Sequence, residues 1–190
     1  QTGAIALNCD VACKEQVAKV LSTLPEVDVL VNNAGIAGFS LFQDLSEEAW
    51  ETMIQTHLGG TFRCTKAVLP GMISRKKGCI LNVSSMWGQV GASCEVHYSA
   101  AKAGMIGLTK ALAKEVGPSG VRVNCVAPGV VDTEMNAALS SEALQALAEQ
   151  GYNPDYVDVR TPVLKLEGQL DGEETTIYCR LVGQIPVVPK

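Results

Sequence analysis

The chain has 190 residues, 47% of them hydrophobic and 18% charged, with 18 glycines, a balance that suits a folded α/β domain and excludes a disordered chain. A formal net charge of −5 and a sequence pI near 5.1 leave no basic field for nucleic acid, and the triplet Arg75, Lys76, Lys77 reads as a solvated helix end. No apolar run reaches the roughly 18 residues of a membrane span, and no charged-then-apolar leader opens the chain; the expectation is a cytoplasmic protein without a membrane or nucleic-acid partner.

Ala4 to Leu7 is a short apolar run that predicts a strand, closed by Asn8, Cys9 and Asp10. Because this run begins almost at Gln1, the chain is expected to continue upstream. Val17, Val20, Leu21 and Leu24 recur at helical spacing until Pro25. Val27 to Val31 predicts a buried parallel strand, closed by the turn-forming residues Asn32, Asn33, Ala34 and Gly35.

Ser46 before Glu47 and Glu48 predicts a capped helix start, with two carboxylates at the positive end of the helix dipole. That helix should run through Trp50, Ile54 and Leu58, break or bend at Gly59-Gly60 and Pro70, and end near Arg75. Gly78 to Val83 predicts the next strand, ending in Ser84 and Ser85, and Tyr98 to Val116 a helix stopped by Gly117-Pro118. Val121 to Val126 predicts a further strand before Pro128-Gly129.

Strands alternating with helices predict a doubly wound parallel sheet of Rossmann type with helices on both faces. Such a sheet binds ligands outside the carboxyl ends of its strands, here Asp10, Asn32 to Gly35, Ser84-Ser85, and Pro128 to Thr133. After about Ser140 the pattern changes to a helix from Glu142 to Gln150, a strand-like Val157 to Val159, and an alternating run Thr175 to Val182 that predicts a small hairpin or edge structure. The division expected is a partial Rossmann-like domain over residues 1–139 and an atypical segment of helix and small β structure over residues 140–190. The seven cysteines, odd in number and without paired zinc-site spacing, are expected to be free thiols, and no metal is expected.

Tyr98 and Lys102 stand four apart on one helix face, with Ser85 at a nearby strand end. Bringing a phenol from its usual pKa near 10 to neutrality takes about 4 kcal/mol. A lysine charge about 4 Å away is worth at most that order at an effective dielectric near 20, so Lys102 would supply much of the shift and a second positive charge beside it the rest. Tyr98 would then serve as a proton donor, and Ser85 would donate a hydrogen bond to the same carbonyl oxygen as charge develops there. A Tyr-x-x-x-Lys pair alone arises by chance; its weight comes from the order of the set. Asn32-Asn33-Ala34-Gly35 is followed by Ser84-Ser85, by Tyr98 thirteen residues after Ser85, by Lys102, and by Pro128-Gly129.

That ordered set resembles the short-chain dehydrogenase/reductase family over about 130 residues. The resemblance implies that Ser85, Tyr98 and Lys102 are the catalytic serine, tyrosine and lysine, with Tyr98 and Lys102 also holding the nicotinamide ribose. It implies that Asn32, Ala34 and Gly35 form the turn that stabilises the central sheet and lies along the cofactor, that Asp10 and Val11 contact adenine, and that Pro128, Gly129, Val131 and Thr133 hold the nicotinamide and its carboxamide. The cofactor implied is NADP or NAD, and the intact family member is expected to be a homo-oligomer. His57 stands where most of the family has an asparagine that keeps a proton-relay water in place; a relay role and a locally satisfied helix residue are both open for it.

The family's Gly-x-x-x-Gly-x-Gly turn, which holds the pyrophosphate, has no counterpart in this sequence, so the fold is expected to be incomplete on its N-terminal side and cofactor binding by this chain alone is in doubt. Within the family, Trp87-Gly88, Gly91 to Tyr98 and Val123 to Gly129 are similar to the bacterial 3-oxoacyl-[acyl-carrier-protein] reductase group. That similarity implies a small or carrier-bound ketone as substrate and a place in fatty acid biosynthesis. The run Cys94-Glu95-Val96-His97 is also similar to the reductase of the 5-aminopentanone modification on elongation factor P, where Glu95 would suit an amine; an exposed loop carboxylate is the other reading of it. A third reading is a non-catalytic fragment or hybrid that keeps the fold without binding cofactor. Ala146 to Arg160 and Thr175 to Val187 faintly resemble the end of pantothenate synthetase, but that family's ATP-binding histidine motif is absent and no activity is carried over.

Overall fold

The structure, a computed structural model, describes residues 5–129, 163–170 and 173–182. Three parallel strands form its framework: β1 (Val29–Asn32), β2 (Gly78–Val83) and β3 (Val121–Pro128). They lie side by side in chain order, with Leu30 opposite Ile80 and Ile80 opposite Val123. Beyond β3 the sheet continues antiparallel through a hairpin of β4 (Val163–Leu170) and β5 (Glu173–Val182), β5 pairing with β3.

Helix α1 (Lys14–Ser22) precedes β1. Between β1 and β2 run α2 (Glu47–Ile54) and α3 (Gly60–Arg75), and between β2 and β3 run the short α4 (Trp87–Val90) and the long α5 (Val96–Val116). This alternation is the Rossmann-like architecture that the sequence predicts. Helix α2 begins as expected, with the Ser46 hydroxyl accepting from Ala49 N–H at 3.1 Å. The break expected at Gly59-Gly60 takes the form of a π-helical turn over Gln55–Gly59. Pro70 sits within α3 without ending it.

The apolar faces of α1, α3 and α5 meet one side of the sheet. Val68, Met72, Ile80, Val116, Val121 and Val123 are buried together, with Leu21, Leu30 and Leu112 packed against them. A polar ladder crosses this interior. Asn32 Nδ2 donates to Asn82 Oδ1 at 2.8 Å and to Thr65 Oγ1 at 3.2 Å, and Asn82 Nδ2 donates to Thr109 Oγ1 at 2.8 Å. The Thr109 hydroxyl in turn donates to Met105 O at 2.7 Å.

The first strand predicted from the sequence does not form. Residues 5–10 carry no regular structure, and Ile5 and Leu7 are 83% and 48% exposed. Among the described residues β1 is the edge of the sheet and residues 5–10 do not pair with it; Val29 and Val31, predicted to be buried, lie exposed on one face of the sheet. The predicted helix from 142 to 150 and the strand-like 157 to 159 lie outside the described residues.

Candidate active site

The carboxyl ends of β1, β2 and β3 open on one rim, and α5 starts there. Backbone bonds carry the ladder beyond β2: Ser84 N–H donates to Val126 O at 2.8 Å and Met86 N–H to Pro128 O at 2.9 Å. This places Ser84 and Ser85 rigidly at the strand end. The Ser84 hydroxyl donates to Lys102 O at 2.8 Å and so fixes α5 against β2. Gly88 tightens the same contact, because a Cβ there would come within 2.7 Å of the Lys102 carbonyl carbon.

Tyr98 and Lys102 meet one turn apart, as their spacing predicts. Lys102 is 4% exposed; its Nζ lies 5.4 Å from the centre of the Tyr98 ring and donates to Val83 O at 2.8 Å. An ammonium carries three donors, so two remain for a ligand. Burial pushes the lysine down to about 8, which keeps most of it charged at neutral pH. Ser85 Oγ accepts from Trp87 N–H at 3.2 Å, leaving its own proton to donate.

Burial is the leading influence on Tyr98 and raises its pKa; the Ser85 hydroxyl opposes that rise, and the Glu95 carboxylate adds to it. Lys102 gives one of its donors to Val83 O and lies over the ring face. Glu95 is itself partly buried, and burial raises its carboxyl above the usual range.

His57 lies in the π-turn, 2% exposed, with its ring edge-on to Tyr98 at 5.3 Å between centroids. It packs against Gly35, where a Cβ would stand 2.9 Å from His57 Nδ1. Gly35 is therefore a glycine because an imidazole fills the place of its side chain. Burial leads, and the nearby Lys102 charge assists, in pushing His57 down to about 4, so the ring is neutral near pH 7.

At the far corner of the rim, Asp10 accepts from Ala12 N–H at 2.8 Å, and Asp10 N–H donates to Gln16 Oε1 at 2.9 Å. Arg63 ties this turn to the π-turn, donating from Nη1 to Val11 O at 3.4 Å and to Gln55 O at 3.2 Å.

A model of the short chain dehydrogenase family matches residues 1–144. The chain belongs to the short-chain dehydrogenase family. It is 48% identical over 125 residues to the 3-oxoacyl-[acyl-carrier-protein] reductase of Chlamydia muridarum, covering 66% of this chain and 50% of that one. It is 43% identical over 148 residues to the acetoacetyl-CoA reductase of Shinella zoogloeoides, covering 76% and 61%. A crystal structure of a short-chain dehydrogenase from Streptomyces avermitilis superposes with a TM-score of 0.67 at 36% identity, covering 70% of this chain and 51% of that one. The chain thus spans about half to three fifths of the length of such relatives.

As a short-chain dehydrogenase, the chain is expected to take a nicotinamide dinucleotide, and the donor set suits part of one. The spare Lys102 donors and the Ser85 hydroxyl match oxygen acceptors such as ribose hydroxyls and a carbonyl. Asn32 uses both of its amide hydrogens inside the protein, tying β1 to β2 and α3. Ala34, Pro128 and Gly129 lie at the ends of β1 and β3 on the same rim, whereas Val131 and Thr133 lie outside the described residues. Ser84, Gly88 and Arg63 position the site without having been singled out as site residues. The doublet Ser84-Ser85 was the available signal for the first, and only contacts reveal the other two.

Among the described residues no three His, Cys, Asp or Glu side chains are placed to hold a metal ion, and no helix is long and apolar enough to cross a membrane. Cys9, Cys13, Cys64, Cys79, Cys94 and Cys125 are free thiols.

Proposed function

We propose that this chain carries the catalytic part of an NAD(P)H-dependent carbonyl reductase acting on a 3-oxoacyl group held on a carrier, with Tyr98 as proton donor. The observation that supports it is the meeting of Ser85, Tyr98 and Lys102 at the end of β2 and the start of α5. Bound NAD(P)H would supply the hydride. Ser85 donates a hydrogen bond to the ketone oxygen, which orients the carbonyl and stabilises the negative charge that develops on it. Tyr98 transfers its phenolic proton to that oxygen, completing the alcohol, and the Lys102 ammonium stabilises the phenolate left behind. The buried rise in the phenol's pKa keeps the proton on Tyr98 until the oxygen is basic enough to take it.

Asp10 and Val11 receive adenine, and Lys102 with Tyr98 the nicotinamide ribose, in this reading. A homo-oligomer belongs to the same proposal and is checked by sedimentation of the purified chain. Glu95, half-buried and close enough to influence Tyr98, favours a second reading in which the ketone carries an amine, as the 5-aminopentanone group on elongation factor P does.

Turnover of Tyr98→Phe decides the matter. In the reductase, with NADPH absorbance followed against a 3-oxoacyl thioester, the variant loses about 10²–10⁴ in kcat. Retention of most of the rate removes Tyr98 from the mechanism.

A further inference from the structure

His97 stands in the first turn of α5, directly before Tyr98, and is 3% exposed. Its Nδ1 is buried without a hydrogen-bond partner. The far end of the ring faces Gly38, where a Cβ would stand 3.0 Å from His97 Nε2 and 3.4 Å from Met53 Cε. Gly38 does not have a positive φ, so a side chain there is excluded by contact and not by the backbone. The glycine gives access to the imidazole.

Gly38, Met53 and His97 form the floor of a recess of about 340 Å³, walled by Ile36 and by α2, whose Ser46, Glu48 and Thr52 stand at the exposed rim. An uncharged imidazole carries one N–H and one lone pair. With the proton on Nδ1, an N–H is enclosed without an acceptor; with the proton on Nε2, only a lone pair is enclosed and a donor faces the recess, the cheaper arrangement. Ser46 Oγ accepts from Ala49 N–H, which leaves its own proton to donate. The Glu48 carboxylate supplies an acceptor at the rim and repels a second carboxylate. A donor at the floor and an acceptor at the mouth, with Ile36 and Met53 between them, match a group whose C=O turns inward, whose N–H turns outward and whose substituents are apolar.

We propose that this recess binds a secondary amide on a short aliphatic stem, its carbonyl oxygen accepting from His97 Nε2–H.

The probe is N-propylacetamide, added to the unsubstituted chain while the ¹⁵N-imidazole signals of His97 are followed. They should show the proton on Nε2 and shift saturably, with a Kd of about 1–10 mM. Propionate and propylamine should bind at least about tenfold more weakly. Gly38→Ala sets a methyl group against Nε2 and should weaken the amide about tenfold or more, and His97→Phe, which keeps a ring, by about three- to tenfold, both read at the Ala49 backbone amide. The titration of the unsubstituted chain decides the matter even where a variant misfolds. No saturation by about 50 mM, binding of propionate as tight as that of the amide, or full binding to a folded Gly38→Ala would each overturn the site. Displacement of the probe by a 3-oxoacyl thioester with an amide in its arm assigns the amide to the substrate, an assignment that rests on the reductase reading; a probe that stays bound assigns it to a free ligand. Both results uphold the site, and neither needs turnover, so failure of the Tyr98 mechanism is separately visible.

Discussion

Lys102 and His57 show how burial at one residue becomes a property of the whole chain. Lys102 titrates near 8 when folded and near 10.4 when unfolded. Below pH 8 both states hold the proton and the cost of burying the charge is fully present. Between about 8 and 10.4 the unfolded state binds more protons, so stability rises with pH, by about 3 kcal/mol at the upper limit. His57, near 4 folded against about 6.5 unfolded, is neutral in both states above that window. As pH falls from about 6.5 to 4 the unfolded state takes up the proton first, and stability is lost. Urea midpoints across pH 4–10 should show both slopes. Lys102→Met should remove the alkaline one, and His57→Asn the acid one.

The elements are joined as much by polar contacts as by apolar ones. The ladder from Asn32 through Asn82 to Thr109 binds β1, β2 and α5, with Thr65 of α3 joined at Asn32. Asn82 is 0% exposed, and Asn82→Leu strips an acceptor from Asn32 and a donor from Thr109. Such a change should cost about 2–3 kcal/mol, read as a drop in the urea midpoint, with unpaired partners contributing more than the lost bonds. The long helices were legible because Ser46, the period of Met105, Leu108 and Leu112, and Gly117-Pro118 act locally. The run from Ala4 to Leu7 misled because its residue types suit a strand whereas its formation depends on a partner elsewhere.

At the scale of the molecule, the rim at the ends of β1, β2 and β3 gathers groups distant in sequence into one site. One end of it is built by Lys102 and Ser85, and the far corner by Asp10, Gln16 and Arg63. Contacts at these two ends predict weak, saturable NADPH binding by this chain, with a Kd of about 0.1–1 mM, read from nicotinamide fluorescence. Lys102→Met should weaken it. An absence of saturation at several times about 1 mM would favour the reading in which the chain keeps the fold without binding cofactor.

The sequence by itself determined the alternation of strands and helices, the family, and the set Ser85, Tyr98 and Lys102, because periodicity, caps and fixed spacings act over a few residues or recur in a fixed order. It could not give the state of those groups. That Lys102 is engaged by Val83, that burial raises the Tyr98 pKa, and that His57 faces both polar groups of Ile36 were decided by the tertiary structure. Desolvation and hydrogen-bond pairing depend on which atoms surround a group, and those atoms come from segments far apart in the chain.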